Sequence, residues 1–472
     1  MTTTAARIDH PSLEERAVRG RQARKAVPRS SHTGWKPAAG RPDPVALLEE
    51  QNTFREPDLV PVRHGRMMVS PFTFYRGAAR VMAADLEHTP RAGLDVQLCG
   101  DAHLSNFGVF ASPERTLLFD LNDFDETLAG PFEYDVERLT ASFVIAGRNN
   151  QYSTKEIRDA ALASVAAYRN GMAEFAAMRN LGIWYSRMPA EQVLEVIRES
   201  ATKKQAKQVK RAEETVDKAR THDSLQALSK LGEMVDGEYR IVSQPPIVVP
   251  ARDVEALYGL DQGVVEELVH WQFREYRATL DPDRRHLLEQ YREVDLARKV
   301  VGVGSVGTRA FIVLLLGRDD DDPLFLQIKE ATASVLASHL PKSRYHNQGE
   351  RVVQGQRMMQ AASDIFLGWT TGLDANRFFY WRQLRDMKGS AVVETLTPAG
   401  LAVYARLCGW TLARAHARSG DSVGISSYLG SSDSFDRAIV DFAERYADQN
   451  ERDYEEFVTA IRSGRLQAVE RL

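Results

Sequence analysis

Two knots of hard ligands lie close together early in the chain, and they restrict the fold more than any other feature. "CGDAHLSNFG", residues 99–108, sets Asp101, His103, Ser105 and Asn106 between glycines. "FDLNDFDET", residues 119–127, follows with Asp120, Asn122, Asp123, Asp125 and Glu126. Each knot borders an apolar run, "LDVQLCG" at 94–100 and "RTLLFDLND" at 115–123, that reads as a short buried strand. Carboxylates crowded at strand ends repel one another unless positive charge sits between them. A positive charge between the two knots would relieve that repulsion.

A second constraint comes about two hundred residues later. In "KVVGVGSVGTRAFIVLLLGRDDDDPLFLQIKEA", Gly302, Gly304 and Gly307 spell G-x-G-x-x-G, with Ser305 inside it. A dinucleotide fold opens a helix after that motif. Here a β-branched, strongly strand-forming run follows. A glycine loop between antiparallel strands is what protein kinases lay over ATP phosphates. Glycines let backbone N–H groups reach the phosphate oxygens with no Cβ in the way. Lys329, one strand further on, is costly in an apolar strand unless its charge is paired. The expected partner is Glu350, on the helix predicted over "GERVVQGQRMMQ"; Glu330 is the alternative, but adjacent strand residues face opposite ways. Blander readings stay open: a hairpin with mobile glycines, and an edge lysine that reaches water.

Asp101 and Asn106 have the D-x-x-x-x-N spacing of the kinase catalytic loop. "GDAHLSN" resembles the GDxHxxN loop of aminoglycoside phosphotransferases. The resemblance implies that Asp101 deprotonates an acceptor hydroxyl and that Asn106 and Asp123 hold Mg²⁺. It places His103 near the transferred phosphate. "GPFEYDVERL" resembles the segment downstream of the metal aspartate in those enzymes, which selects Asp123 over Asp120 and makes Asp135 a structural anchor of the catalytic loop. Asp120, Asn122, Asp125 and Glu126 are left as extra ligands or turn residues. Arg76, in "SPFTFYRGAA", either meets a phosphate or pairs with a core carboxylate.

The order of the parts is unusual. In kinases the glycine loop and lysine precede the catalytic loop; here they follow it. "PAGLAVYARLCGWTLARAHARSGD", 398–421, resembles the helix that normally runs into that loop, yet it lies near the C-terminus. A circular permutation, cut between that helix and the catalytic loop, explains both facts. Chain order can change where contacts are kept. Together with "SPFTFYRGAA", "GERVVQGQRMMQAASDIFLGW" and "YADQNERDY", these segments resemble a bacterial family known as domain of unknown function 2252, distantly similar to the kinase-like superfamily. That resemblance implies a nucleotide site with ATP and Mg and names no substrate. The chain departs from the kinase pattern: Cys99 and Gly100 precede the aspartate, Asp125 ends the D-F-G counterpart, and Arg309 follows the glycine loop.

The expected class is α+β, a two-lobed, protein-kinase-like fold with permuted segment order and a large helical portion. Its 472 residues suit several lobes. We expect a flexible basic arm at 1–45, the catalytic loop and metal site within 46–149, and a helical substrate or partner region at 150–295. A β-rich nucleotide lobe at 296–392 and closing helices at 393–472 complete the division. A net charge of −4 argues against nucleic-acid and membrane partners. The longest apolar run is too short to span a bilayer. Two cysteines allow no disulfide framework, and "MTTTAARIDHPSLEER" carries no secretory signal, so a cytoplasmic location is expected. The expected activity is phosphoryl transfer to a hydroxyl, on a small molecule in preference to a protein. The alternatives are a nucleotide-binding pseudokinase, an AMP-transferring relative, and a metal-dependent hydrolase built on Asp101, His103, Asp120 and Asp123.

Overall fold

The run Ala310–Leu316 is buried along nearly its whole length, so it forms the interior of a sheet rather than an edge. The computed structural model describes residues 9–200, 206–221, 224–253, 262–300, 302, 304–384 and 387–469. Four strands surround the two knots: β1 (Asp95–Leu98), β2 (Phe107–Ala111), β3 (Leu117–Leu121) and β4 (Leu128–Pro131). A hairpin follows, β5 (Gly232–Val235) with β6 (Glu238–Ile241). The remaining strands are β7 (Val248–Pro250), β8 (Arg292–Lys299), β9 (Ala310–Leu316), β10 (Pro323–Ala331), β11 (Gly368–Thr371) and β12 (Phe378–Gln383). They form one six-stranded antiparallel sheet in the order β11-β12-β10-β9-β8-β7. The expected strand, glycine loop, strand, acidic turn, strand sequence is therefore present. The whole chain combines helix and sheet, in keeping with the α+β class.

Both faces of this sheet are apolar, and both are covered. Leu324, Leu326 and Ile328 pack with Phe273 and Tyr276 of helix Gln262–Ala278, and Tyr276 stacks on Trp381 at 4.4 Å. Ile312, Leu314 and Phe325 pack with Leu228 and Leu231 of helix Ser224–Leu231. These helices and β7 come from the stretch expected to shape a substrate region. The described helices from Ser224 onward pack on the sheet, because a sheet apolar on both sides needs a layer on each. Of the charged run at 202–220, residues 206–220 form a helix that buries only Val216 and Ala219; 202–205 lie outside the described residues.

The larger core joins helices Phe132–Asn149, Thr154–Ala177, Pro398–Ala417 and Ser434–Arg462. The sequence signals for helix starts at Ser153–Glu156 and Thr397–Pro398 are met: Ser153 and Glu156 make a capping box, and Thr397 caps Gly400 N–H ahead of Pro398. Helix Pro398–Ala417 is buried on almost every side. A Cβ at Gly409 would lie 2.1 Å from the Ser164 carbonyl oxygen, so this glycine lets two helices touch backbone to backbone.

Two expectations are corrected here. The stretch 66–86, whose sequence reads as one helix ending before "HTP", is instead part of three short ones, Val60–Met67, Pro71–Gly77 and Ala79–Leu86. Pro71 cannot continue the first helix, and the Ser70 cap starts the second. The basic segment is not a loose arm from residue 9 onward. Helix Leu13–Ala26 lies on helix Ser422–Leu429, with Arg16 paired to Asp421. His32 is buried between Glu137 and Tyr428, and Arg41 bridges Asp85 and Asp453. Its cations answer carboxylates of the helical core.

Topology explains why the two knots meet. β1 pairs with β4 and β2 pairs with β3, both antiparallel. The β1–β2 connection is the first knot and the β3–β4 connection is the second, so the two loops lie side by side.

Candidate active site

Asp135, in the first turn of helix Phe132–Asn149, holds the first knot from below. Its carboxylate accepts from Cys99 N–H at 2.6 Å and Gly100 N–H at 2.9 Å. It also accepts from His416 Nε2 at 3.1 Å, while His416 Nδ1 takes the Tyr168 hydroxyl at 2.9 Å. The anchoring role expected of Asp135 is thus present, and His416 supports it from helix Pro398–Ala417. The end of that helix reaches the same place: Ser419 Oγ accepts from Gln97 N–H on β1. Gly100 turns the chain with φ +82°, and a Cβ there would lie 2.2 Å from the Glu126 carbonyl oxygen. Only glycine lets the two knots approach this closely.

Arg138 lies one helical turn after Asp135 and therefore faces the same loop. Its Nε donates to Asp101 Oδ1 at 2.6 Å, and its guanidinium lies over the Tyr75 ring. Asn106 Nδ2 donates to the Asp101 carbonyl at 2.7 Å, which leaves Asn106 Oδ1 for a cation. His103 is buried. Desolvation, with the charges of Arg138 and Arg76, pushes its pKa far down, so the ring is neutral. Nδ1 accepts from Ser105 N–H, which puts the proton on Nε2, 3.8 Å from Asp101 Oδ2.

In the second knot, Lys329 meets its counter-charge. The ammonium from the C-terminal part of β10 donates to Asp125 Oδ2, and Tyr380 O–H donates to Oδ1 at 2.8 Å. Burial pulls the lysine pKa down, but Asp123 and Asp125 more than offset it, and the net shift is upward. For Asp125 the lysine outweighs burial, and its carboxyl falls below the usual range. Asp123 shifts the other way, raised by burial and by Asp125. Glu126, also in the knot, is lifted by burial to about 7.

The expected Glu350 partner is not what Lys329 meets. Glu350 sits in the first turn of helix Gln348–Met359, its N–H capped by Asn347. The neighbouring Arg351 turns inward instead and donates to the carbonyls of Asp125, Thr127 and Thr332. Asp125 does the glutamate's work because the second knot itself reaches β10. Glu330 faces away, paired with Arg309 and Arg377, as strand alternation requires. Asp120 is also outside the site. It is buried against Arg414 and accepts from Ala361 N–H, so it cannot serve the metal set that the hydrolase alternative needs.

The glycine loop completes the cleft. Gly302 and Gly307 have φ of +68° and +89°. The Gly302 carbonyl takes Arg66 Nη1, the Val306 carbonyl takes Arg55, and the Gly307 carbonyl takes Glu56 N–H at 2.7 Å. Ser305 Oγ reaches Asp125 Oδ2 at 3.4 Å. One cleft of about 120 Å³ is lined by Arg55, Arg76, Asp101, His103, Asn106, Asp123, Asp125, Glu126, Gly302, Gly304 and Ser305. It is smaller than an ordinary small-molecule pocket. It has room for a group about the size of a phosphate. Among the described residues no group of three His, Cys, Asp or Glu side chains is placed to hold a metal alone.

The family model described as "uncharacterized protein conserved in bacteria (DUF2252)" matches residues 55–460. The chain belongs to this family. No curated protein and no solved structure matches it. The family match spans both knots, the glycine loop and Lys329, so every lining residue of the cleft except Gln51 lies within it. Sequence reasoning missed Arg138, Tyr380, Arg351 and the pairing role of Asp125. Arg138 alone left a signal, its spacing from Asp135 on one helix face.

Proposed function

We propose that this protein is an ATP- and Mg²⁺-dependent phosphotransferase of kinase-like fold, with a circularly permuted chain, acting on a hydroxyl acceptor. The observation that carries the reading is the single cleft that gathers Asp101, Asn106, Asp123, the glycine loop and, through Asp125, Lys329. These come from segments some two hundred residues apart, and phosphoryl transfer is a chemistry that needs all of them in one place. The order of parts in the sheet supports it: a glycine-loop hairpin, a lysine on the next strand, a helix, then two more strands. The end of helix Pro398–Ala417 beside β1 supports the permutation.

The residues suit the groups this chemistry requires. Mg²⁺ takes one or two protein oxygens and fills its shell with phosphate and water, so Asn106 Oδ1 and Asp123 form a fitting donor set. When bound, the metal would neutralise charge on the phosphate chain. Lys329 would exchange Asp125 for a phosphate oxygen. The glycine loop would offer N–H donors. Arg138 holds Asp101 in place, so the free Oδ2 can take the proton of the acceptor hydroxyl. The acceptor oxygen forms its bond to the γ-phosphorus as the bond to the bridging oxygen breaks. ADP leaves with that electron pair. The catalytic gain comes from positioning and charge, with proton transfer adding on the order of 10²–10⁴.

Turnover of Mg-ATP, with water as default acceptor, tests the reading. Asp101→Asn should keep Mg-ATP binding and lose turnover by about a hundredfold or more. A wild type that binds Mg-ATP but turns it over no faster than Asp101→Asn would reduce the protein to a nucleotide-binding module.

A further inference from the structure

Arg76 is a cation in the cleft that no carboxylate pairs directly among the described residues. It lies on helix Pro71–Gly77 and lines the cleft beside Asp101 and His103. Its Nε is buried without a hydrogen-bond partner, and its guanidinium has no ion pair among the described residues. The guanidinium lies over the Phe72 ring, 5.9 Å from its centroid. The other arginines around the site each have a hydrogen-bonded partner: Arg138 in Asp101, Arg351 in carbonyls, Arg309 in Glu56 and Glu330, Arg382 in Gln327, and Arg55, whose Nε is also unpartnered, in the Val306 carbonyl. A desolvated guanidinium is expensive unless an anion comes to it.

Its position says which anion. The nucleotide end of the cleft is built from Lys329, Asp123 and Asp125. Arg76 has its backbone against Gly304 of the glycine loop and its side chain on the Asp101 side, where the carboxylates whose charge reaches it are Asp101 and Glu394. Beside it His103 is neutral, so Arg76 supplies the positive charge there. The planar fork of a guanidinium matches a phosphate or carboxylate in two-pronged fashion.

We propose that Arg76 binds an oxyanion carried by the acceptor, so that the acceptor is an alcohol bearing its own phosphate or a similar oxyanion. The inference rests on the phosphotransferase reading and narrows its substrate class. A neutral sugar or polyol would leave Arg76 unpaired. An oxyanion-bearing alcohol would seat its charge on Arg76 and bring its hydroxyl toward Asp101.

Inorganic phosphate is the probe, titrated by calorimetry into full-length protein saturated with Mg²⁺ and a non-hydrolysable ATP analogue. The analogue fills the γ-phosphate position, so added phosphate reports a separate site. Wild type should bind phosphate on top of the analogue. Arg76→Gln should bind it at least tenfold more weakly and hold the analogue with affinity within twofold; Arg76→Lys should fall between. Unchanged ligand-free melting shows that the variants fold. If phosphate does not bind wild type once the analogue is present, the proposal fails. It also fails if Arg76→Gln weakens the analogue and not phosphate, because Arg76 then serves the γ-phosphate. If the analogue itself does not bind, the phosphotransferase reading fails first and takes this inference with it.

Discussion

At the scale of single residues, the account turns on charges taken out of water. Lys329 is 3% exposed in its side chain and Asp125 is 26% exposed. Removing one partner of a buried pair leaves the other without compensation. Asp125→Ala should therefore lower unfolding stability by on the order of 3 kcal/mol, read from urea denaturation. A loss under about 0.5 kcal/mol, the scale of a surface substitution, would mean that Lys329 does not depend on Asp125. Glu133 makes a second case. It is fully buried, its Oε2 is unpaired, and burial lifts its carboxyl from 4.5 to about 7. The folded state then holds this proton more tightly than the unfolded chain. The stabilisation is complete below about pH 4.5 and is lost as pH rises through 7. Glu133→Gln keeps a neutral group there and can still accept from Ala92 N–H. Its melting temperature should gain on wild type between pH 5 and pH 8. A constant difference across that range would show that Glu133 does not titrate with folding.

At the scale of elements, the catalytic loop is held by a helix on each side. Asp135→Asn leaves one oxygen to serve both Cys99 and Gly100 N–H groups. One buried donor then goes unpaired, at a cost of about 1–3 kcal/mol. Thermal melting should fall accordingly, and turnover should fall further than Mg-ATP affinity because Asp101 rides on this loop. Equal losses in both would place Asp135 outside the catalytic geometry. Element type was legible in the sequence wherever local chemistry decides it. The strand former after Gly307 and the caps at Ser153 and Thr397 are local signals, and each element formed as expected. The partner of Lys329 was not legible. Glu350 and Arg351 are neighbours, and which of them turns toward the cleft depends on how the helix lies against β10 and the second knot. The basic segment misled for a similar reason. Its composition reads as solvated, while the carboxylates that fold it down, Asp421, Asp85 and Asp453, are far away in the chain.

At the scale of the whole molecule, the claim is that two distant stretches of chain make one nucleotide site. The strand order β11-β12-β10-β9-β8-β7 fixes Lys329 in the middle of a sheet, and the antiparallel ribbons fix the two knots side by side. Residues 52–77 lie against the glycine loop through Arg55, Glu56 and Arg66. Among the described residues no helix is long and apolar enough to cross a membrane. The most direct test is thermal stabilisation by ATP, with and without Mg²⁺, in wild type, Lys329→Met and Asp123→Asn. A ligand at a hundred times its dissociation constant adds about 2.7 kcal/mol, a readable rise in melting temperature. The account predicts that Mg-ATP stabilises wild type and that each variant loses the effect, although the two residues lie about two hundred positions apart in the chain. Stabilisation that survives either substitution would contradict a shared site, as would a wild type that responds to Mg²⁺ but not to ATP.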